Sequence, residues 1–246
     1  MPTSRIPRIA TALALAALLA AGCSPAAKRE PAGGGAGAPI DTAGLSEIRF
    51  QRGTTSLAFA DSLPDGGTKS YFLGALERQR MTVHVLSRHD DVAVEVFEAA
   101  SGREVAPDQV VPSFWAGLLP SSGNFIVRVT GKGKPESCWV KVQIPRRVIL
   151  TDEFPSQSYS GVALPSLPVD YVLKGIQGKT VTVELRTAEA KAALSIYGIE
   201  DGAVLLANAD GKHKYAGAVP KTQDYMISVV PAAQDSTDYA LFVTQK

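Results

Sequence analysis

The sequence predicts an all-β protein with two tandem antiparallel β-sandwich domains, of jelly-roll or immunoglobulin-like type, after a flexible N-terminal tether. Three observations predict this fold. Short segments of alternating apolar and polar residues recur about every ten residues, and clusters of glycine, proline and serine separate them. The whole pattern occurs twice, at an offset of one hundred residues. A chain of 246 residues is long enough to bury two cores.

The N-terminal residues have the composition of a secretion signal. Arg5 and Arg8 precede the apolar run IATALALAALLAAG, which is too short for a permanent membrane span and ends in small residues before Cys23. This pattern resembles the bacterial lipobox, which implies a lipoprotein signal peptide over 1–22 and a lipid on Cys23. By the same resemblance, Ser24 favours the outer membrane, facing the periplasm. The alternative is an ordinary secretory leader in which the cysteine is incidental.

Residues 23–44 follow this leader and contain mostly glycine, alanine and proline. Such a segment has few large side chains to bury, so it cannot offset the entropy lost on ordering. We therefore expect a flexible tether between the lipid and the folded part.

The rest of the chain divides into repeat 1, residues 45–145, and repeat 2, residues 146–246. Equivalent positions carry the same residue one hundred positions apart: Tyr71 and Tyr171, Val83 and Val183, Gly102 and Gly202, Pro120 and Pro220. In the last strand the offset slips by one residue, so that Cys138 corresponds to Tyr239. The junction IPRRV is short, which predicts that the two domains abut.

Each repeat contains a series of predicted strands. In repeat 1 these are, in order, SYFLGAL (70–76), MTVHVLS (81–87), VAVEVFE (92–98), NFIVRVT (124–130) and CWVKVQI (138–144). Strict alternation indicates one buried face and one solvated face. Val83 and Val85 are therefore expected in the core, and His84 between them is expected to face solvent.

The same alternation assigns the other conspicuous side chains. Cys138 is predicted to be an inert core residue, and Phe125 should also point inward. Trp115 is expected in the core or at its rim. Trp139 should face outward, where it either packs between the domains or marks a partner surface.

Several functional classes find no support in the sequence. The net charge of +1 gives no electrostatic footprint for nucleic acid. No catalytic or phosphate-binding motif is present, so we expect a non-enzyme without a cofactor or metal. The turn at His89, Asp90 and Asp91 offers carboxylates to a cation but too few oxygens for a calcium site. One cysteine besides Cys23 leaves no intrachain disulfide to expect.

One segment differs between the repeats in an informative way. GLLPSSGNFIVRV (117–129) returns as GAVPKTQDYMISV (217–229), which keeps the apolar positions but not Ser122 and Gly123. The difference is either plain turn chemistry or the place where a partner binds. If the turn at Ser122 and Gly123 is exposed, it should tolerate the repeat 2 residues, threonine and glutamine, at little cost in stability.

The repeats resemble pre-peptidase C-terminal (PPC) type sandwiches, and repeat 1 resembles the periplasmic inhibitors of goose-type lysozyme. The segments that carry the resemblance are IRFQRGTTS (48–56), YFLGALERQRMTVHV (71–85) and LPSSGNFIVRV (119–129). The inhibitor family's Ser-Gly-x-Tyr turn corresponds to Ser122, Gly123, Asn124 and Phe125, with phenylalanine in place of tyrosine.

The resemblance implies that this turn enters the lysozyme cleft. Lys132 and Lys134 in the nearby GKGKP loop either steer the turn toward acidic groups or form a solvated hairpin face. Two alternatives remain open at this point. One is a module that binds peptidoglycan or another glycan, and the other is a structural accessory lipoprotein of an envelope complex.

Overall fold

The structure is a computed structural model, and it describes residues 37–88, 91–108, 111–133, 136–188, 191–232 and 236–246. The first eight strands are β1 Ser46–Glu47, β2 Ser56–Leu63, β3 Thr68–Ala75, β4 Arg80–Ser87, β5 Val92–Glu98, β6 Phe114–Leu118, β7 Gly123–Gly131 and β8 Glu136–Gln143. The next nine are β9 Arg146–Val148, β10 Ser156–Ala163, β11 Val169–Gly175, β12 Thr180–Thr187, β13 Ala192–Gly198, β14 Val204–Leu206, β15 Lys214–Ala218, β16 Gln223–Pro231 and β17 Thr237–Gln245.

These strands form four sheets, which confirms the predicted all-β sandwich fold. The orders are β1-β3-β7-β5 and β2-β8-β4-β6 from repeat 1, and β14-β13-β16-β11-β9 and β10-β17-β12-β15 from repeat 2. All strand pairs are antiparallel except β1 with β3 and β9 with β11, which occupy matching places. Each described sheet draws its strands from one repeat, which supports our proposal that 45–145 and 146–246 are the two domains.

The pairing register repeats as well. Leu73 on β3 lies opposite Phe125 on β7, and Leu173 on β11 lies opposite Tyr225 on β16. A one-residue slip would turn every side chain to the other face of the sheet. The repeated apolar pattern therefore fixes the same register twice.

Each pair of sheets encloses its own hydrophobic core. Tyr71, Val83 and Trp115 are buried in the first core, and Tyr171 is buried in the second. The Trp115 indole Nε1 donates to the carbonyl of Val105 at 3.3 Å, so its one polar atom is satisfied. Burial of these apolar side chains is the main favourable contribution to folding.

The outward face of sheet β2-β8-β4-β6 is only partly exposed to solvent, whereas the sequence predicted that it would be solvated. His84 does not face open solvent, because its ring lies against repeat 2 and its Nε2 is 2.8 Å from Asp170 Oδ2. The prediction was wrong because alternation separates the two faces of a strand without showing which face another domain covers. Trp139 does face outward, and 47% of its surface is exposed.

Asp170 on β11 is the centre of the contact between the repeats. Only 1% of its surface is exposed, and its carboxylate accepts hydrogen bonds from Thr82 Oγ1 (3.0 Å), His84 Nε2 (2.8 Å) and Ser228 Oγ (2.7 Å). Burial alone would raise the pKa of Asp170, but the charge and hydrogen bond of His84, the charge of Lys141 and the hydrogen bond from Ser228 lower it to about 2. The buried carboxylate therefore stays ionised and joins the two domains.

Two more polar side chains of β8 reach repeat 2. Gln143 forms a reciprocal pair with the backbone of Asp170, donating to its carbonyl at 2.7 Å and accepting from its N–H at 3.3 Å. Lys141 Nζ donates to the carbonyl of Pro168. Burial lowers the pKa of Lys141 to about 8.

The described residues begin inside the predicted tether. Ile40 donates its backbone N–H to the carbonyl of Ala99 at 2.7 Å, so residues 37–44 contact repeat 1 beyond the end of β5. The predicted signal peptide and Cys23 lie outside the described residues. Within the described ranges, no helix has the length and apolar character needed to cross a membrane.

Candidate functional site

The turn that sequence comparison singled out joins β6 to β7 at one end of repeat 1. Ser122, Gly123 and Asn124 are exposed, whereas the Phe125 ring is 1% exposed and belongs to the core. The three exposed residues can contact a partner, and Phe125 anchors them from below. We call residues 122–124 the tip.

A hydrogen bond from the neighbouring turn holds the tip. The Ser122 hydroxyl oxygen accepts the backbone N–H of Glu77 at 2.9 Å. In repeat 2, Thr222 accepts the N–H of Gln177 at the same distance. The hydroxyl therefore serves the fold in both repeats, so the difference between serine and threonine does not distinguish a binding tip.

Gly123 and Gln223 do differ in structure. Gly123 has a φ of +152°, and a Cβ built there would meet nothing within 4 Å. Gln223 is completely buried, where its amide donates to Asp201 (2.8 Å) and to the Tyr225 hydroxyl (3.3 Å). Repeat 2 therefore accommodates glutamine by burying its side chain, which donates to the Tyr225 hydroxyl, a group that the Phe125 ring of repeat 1 lacks.

Glu98 holds the same turn from the β5 side. Its carboxylate accepts hydrogen bonds from Ser121 Oγ at 2.5 Å and from Ser101 Oγ at 2.7 Å. The hydrogen bond from Ser121, then that from Ser101, lowers the pKa of Glu98. The tip is thus fixed by contacts on two sides, which limits the entropy that it would lose on binding.

A shallow hollow lies beside the tip. It has a volume of 530 Å³, and its described lining contains no charged side chain. The lining residues are Phe50, Thr54, Thr55, Gly74, Ala75, Leu76, Gln79, Ser122, Gly123, Asn124 and Ile144. Leu76 at its edge is 62% exposed, and Leu118 at the end of β6 is also exposed. Exposed apolar side chains around a rigid polar tip are typical of protein contact surfaces.

Lys132, a candidate steering residue from the sequence, does not belong to this surface. Lys132 follows β7, whereas the tip begins it, so the strand separates them by roughly 27 Å. Lys132 is exposed at the opposite end of the sandwich, where its N–H donates to the carbonyl of Asp91 at 2.8 Å. Lys132 is therefore not near the tip. Lys134 lies outside the described residues.

The polar cluster around Asp170 contains the residue types of a hydrolase triad in another arrangement. Ser228 and His84 both contact the carboxylate. In a nucleophilic triad the serine contacts the histidine, which in turn contacts the carboxylate. The cluster is therefore suited to joining the domains, and its geometry does not activate the serine.

The described residues likewise give little support for a metal site. Among the described residues, no group of three or more histidine, cysteine, aspartate or glutamate side chains converges on one point. His89 and Asp90 of the candidate cation turn lie outside those residues.

Comparison with known proteins gives structural neighbours only. No protein-family model matches the chain, and no curated protein matches it. The PPC resemblance therefore remains an expectation from the sequence.

Among solved structures, PliG of Aeromonas hydrophila, a periplasmic inhibitor of g-type lysozyme, is 21% identical with a TM-score of 0.34, over 40% of this chain and 94% of its own. PliG of Salmonella Typhimurium is 17% identical with a TM-score of 0.32, over 40% and 96%. The PBSX exported protein XepA is 9% identical with a TM-score of 0.27, over 78% and 86%. Likenesses at these identities and TM-scores do not determine what this chain binds.

Proposed function

We propose that this chain is a non-catalytic, lipid-anchored protein of the bacterial cell envelope that binds a protein partner through the tip of repeat 1. The observation that carries the proposal is the exposed tip at residues 122–124, which is held by Glu77 and anchored on the buried Phe125 ring. The corresponding surface of repeat 2 differs, because Gln223 is buried and the equivalent hollow is smaller, at 260 Å³, and is lined by the charged residues Asp152 and Lys179.

The partner that the sequence resemblance favours is a goose-type lysozyme. A muramidase cleft performs its chemistry with carboxylates and binds a sugar chain, so it offers hydrogen-bond acceptors to an inserted loop. Ser122 accepts the Glu77 N–H, and within the described residues its own O–H has no acceptor. The Asn124 carboxamide likewise donates to no described group. The tip therefore has two donor groups available for an acidic cleft.

A test of inhibition uses the chain with Cys23→Ala, to avoid the lipid. Clearing of a bacterial cell-wall suspension is followed with chicken-, goose- and invertebrate-type lysozymes. The proposal expects stoichiometric loss of the goose-type activity, with the other two types less affected. If none of the three is inhibited, lysozyme is not the partner.

A variant pair tests whether the tip surface is responsible. Leu76→Ser and Ile176→Ser remove equivalent exposed side chains at the ends of β3 and β11. The proposal expects the first to weaken lysozyme binding about tenfold, by about 1.4 kcal/mol, and the second to leave it unchanged. Isothermal titration measures both, and an equal effect of the two variants would place the binding surface elsewhere.

A further inference from the structure

A second hollow lies between the two repeats, on the other side of the loop that contains Thr54 and Thr55. It has a volume of 590 Å³, within the range of sites that hold small molecules. Lys141 and Arg146 are its charged residues, and no acidic residue occurs among its described lining. The described lining consists of Gln51, Gly53, Thr54, Thr55, Ser56, Leu57, Ala58, Lys141, Gln143, Arg146, Ser160, Gly161, Val162, Leu164, Val169, Tyr171 and Tyr239. We call this hollow the interdomain cleft.

In repeat 1, an acidic side chain lies beside the tyrosine that is equivalent to Tyr171. Asp61 on β2 accepts a hydrogen bond from the Tyr71 hydroxyl at 2.8 Å and forms an ion pair with Lys69. These contacts lower the pKa of Asp61 against the opposing effect of its burial. The buried tyrosine of repeat 1 therefore donates to a carboxylate of the protein itself.

Repeat 2 lacks that carboxylate. Gly161 stands at the position of Asp61, as the cross-strand partners of the two residues show, and Val169 stands at the position of Lys69. A Cβ on Gly161 would approach the Tyr239 hydroxyl to 2.9 Å, so glycine leaves the space beside this hydroxyl unfilled, and both residues line the interdomain cleft.

The Tyr171 and Tyr239 hydroxyls are 2.6 Å apart and form one hydrogen bond. Burial raises the pKa of both, so both keep their protons. Two hydroxyls have two protons, and their mutual bond uses one. The other has no acceptor among the described residues.

Arg146 supplies a positive charge at the same place. Its guanidinium lies 5.8 Å from the centroid of the Tyr159 ring, and its charge acts to lower the pKa of Tyr171 and Tyr239. It lines the interdomain cleft and is exposed, and no carboxylate among the described residues pairs with it. A guanidinium beside an unused hydroxyl proton is a suitable receptor for a carboxylate.

We propose that the interdomain cleft binds a carboxylate-bearing saccharide, whose carboxylate accepts from the Tyr171–Tyr239 pair and pairs with Arg146. The ligand's carboxylate takes the place that Asp61 occupies in repeat 1. Hydroxyl and amide side chains around the cleft, including Thr54, match the polar groups of a sugar. The exposed Val162 offers apolar contact to a sugar face. This site goes beyond the proposed partner binding, since it uses another surface and another class of ligand.

The test is an NMR titration of the Cys23→Ala chain with N-acetylmuramic acid. N-acetylglucosamine serves as a matched ligand that lacks the carboxylate-bearing ether, and the dipeptide D-alanyl-D-alanine as a carboxylate without a sugar. The proposal expects saturable binding of the first and at least about tenfold weaker binding of the other two. Absence of saturable binding would overturn it. Equal binding of the dipeptide would overturn the saccharide class, and equal binding of N-acetylglucosamine would overturn the role of the carboxylate.

Two pairs of variants locate the site. Arg146→Gln and Tyr239→Phe each remove one carboxylate contact, and each should weaken binding of N-acetylmuramic acid about tenfold. Arg147→Gln and Tyr71→Phe are their controls, because Arg147 pairs with Asp224 and Tyr71 lies in repeat 1. Controls and test variants with the same affinity would overturn the assignment. Lysozyme inhibition depends on the tip, so its failure would leave this result unaffected.

Discussion

Asp170→Asn should destabilise the protein by about 3 kcal/mol. The carboxylate accepts three side-chain hydrogen bonds, from Thr82, His84 and Ser228, while the asparagine amide offers a single acceptor oxygen. Hydrogen bonds to a charged group contribute about 1.5–3 kcal/mol each, and removing one partner from a buried charged cluster typically costs about 3–5 kcal/mol. The estimate is at the low end of the second range because asparagine keeps the shape and one acceptor.

The pH dependence of stability gives an independent check on the same residue. The pKa of Asp170 falls from 3.8 to about 2 on folding. A depressed pKa contributes stability that is present above the unfolded value and is lost as the pH falls through the folded value. About two pKa units correspond to roughly 2–3 kcal/mol, lost between about pH 4 and pH 2. Asp170→Asn should lack this part of the acid destabilisation.

Urea unfolding of the Cys23→Ala chain, with and without Asp170→Asn, measures both effects between pH 7 and pH 2. Asp224→Asn is the matched control on the same sheet, because Asp224 pairs with Arg147 near the surface. It should cost less than about 1 kcal/mol. If the two variants lose equal stability and the acid slope is unchanged, Asp170 does not join the domains through an ionised carboxylate.

Three further outcomes follow from the sequence and the packing. Cys23→Ala should release the protein from membranes without unfolding it, and failure of labelled palmitate to enter the wild-type chain in cells would contradict the lipid anchor. Tyr71→Ala and Tyr171→Ala should each destabilise their own repeat by about 3 kcal/mol, as measured by urea unfolding, because each empties a buried aromatic site. Gly123→Gln should cost about 1–3 kcal/mol, more than exposure of the turn alone predicts, because a φ of +152° strains a residue with a side chain; a thermal melt like that of the wild type would refute this strain.

The strand pattern predicted the sandwich fold well because it depends on a local property of the backbone. Successive side chains of a strand point to opposite faces, so the apolar alternation around Val83 fixes which face is buried. The same rule placed Cys138 and Trp115 in the core, where the structure has them. Because the same apolar pattern occurs in repeat 2, each of these assignments is supported by a second segment of the sequence.

Contacts between the domains could not be predicted in this way. Nothing in the alternation around His84 shows that Asp170, 86 residues later, would meet its imidazole ring. The misplacement of Lys132 was avoidable, however. The strand predicted from the sequence, NFIVRVT (124–130), is already long enough to put its two flanking turns at opposite ends of a sandwich, and the observed strand Gly123–Gly131 is longer still.

The differences between the repeats show how one fold supports two kinds of surface. Asp61 lies opposite Cys138 across the strand pair, and Gly161 lies opposite Tyr239, so a larger residue on one strand is matched by a smaller one on the other. Such exchange keeps the volume of the interior nearly constant, which is the kind of change that packed cores tolerate best. It also places the Tyr239 hydroxyl beside the interdomain cleft.

At Gly123 the Cβ position is empty, so no neighbouring side chain constrains the tip there. The first difference is compensated across a strand pair and alters a cleft, while the second accompanies the difference between Phe125 and Tyr225 and alters an exposed turn. Binding at the two surfaces can therefore be changed separately, and a variant of either one should leave the other intact.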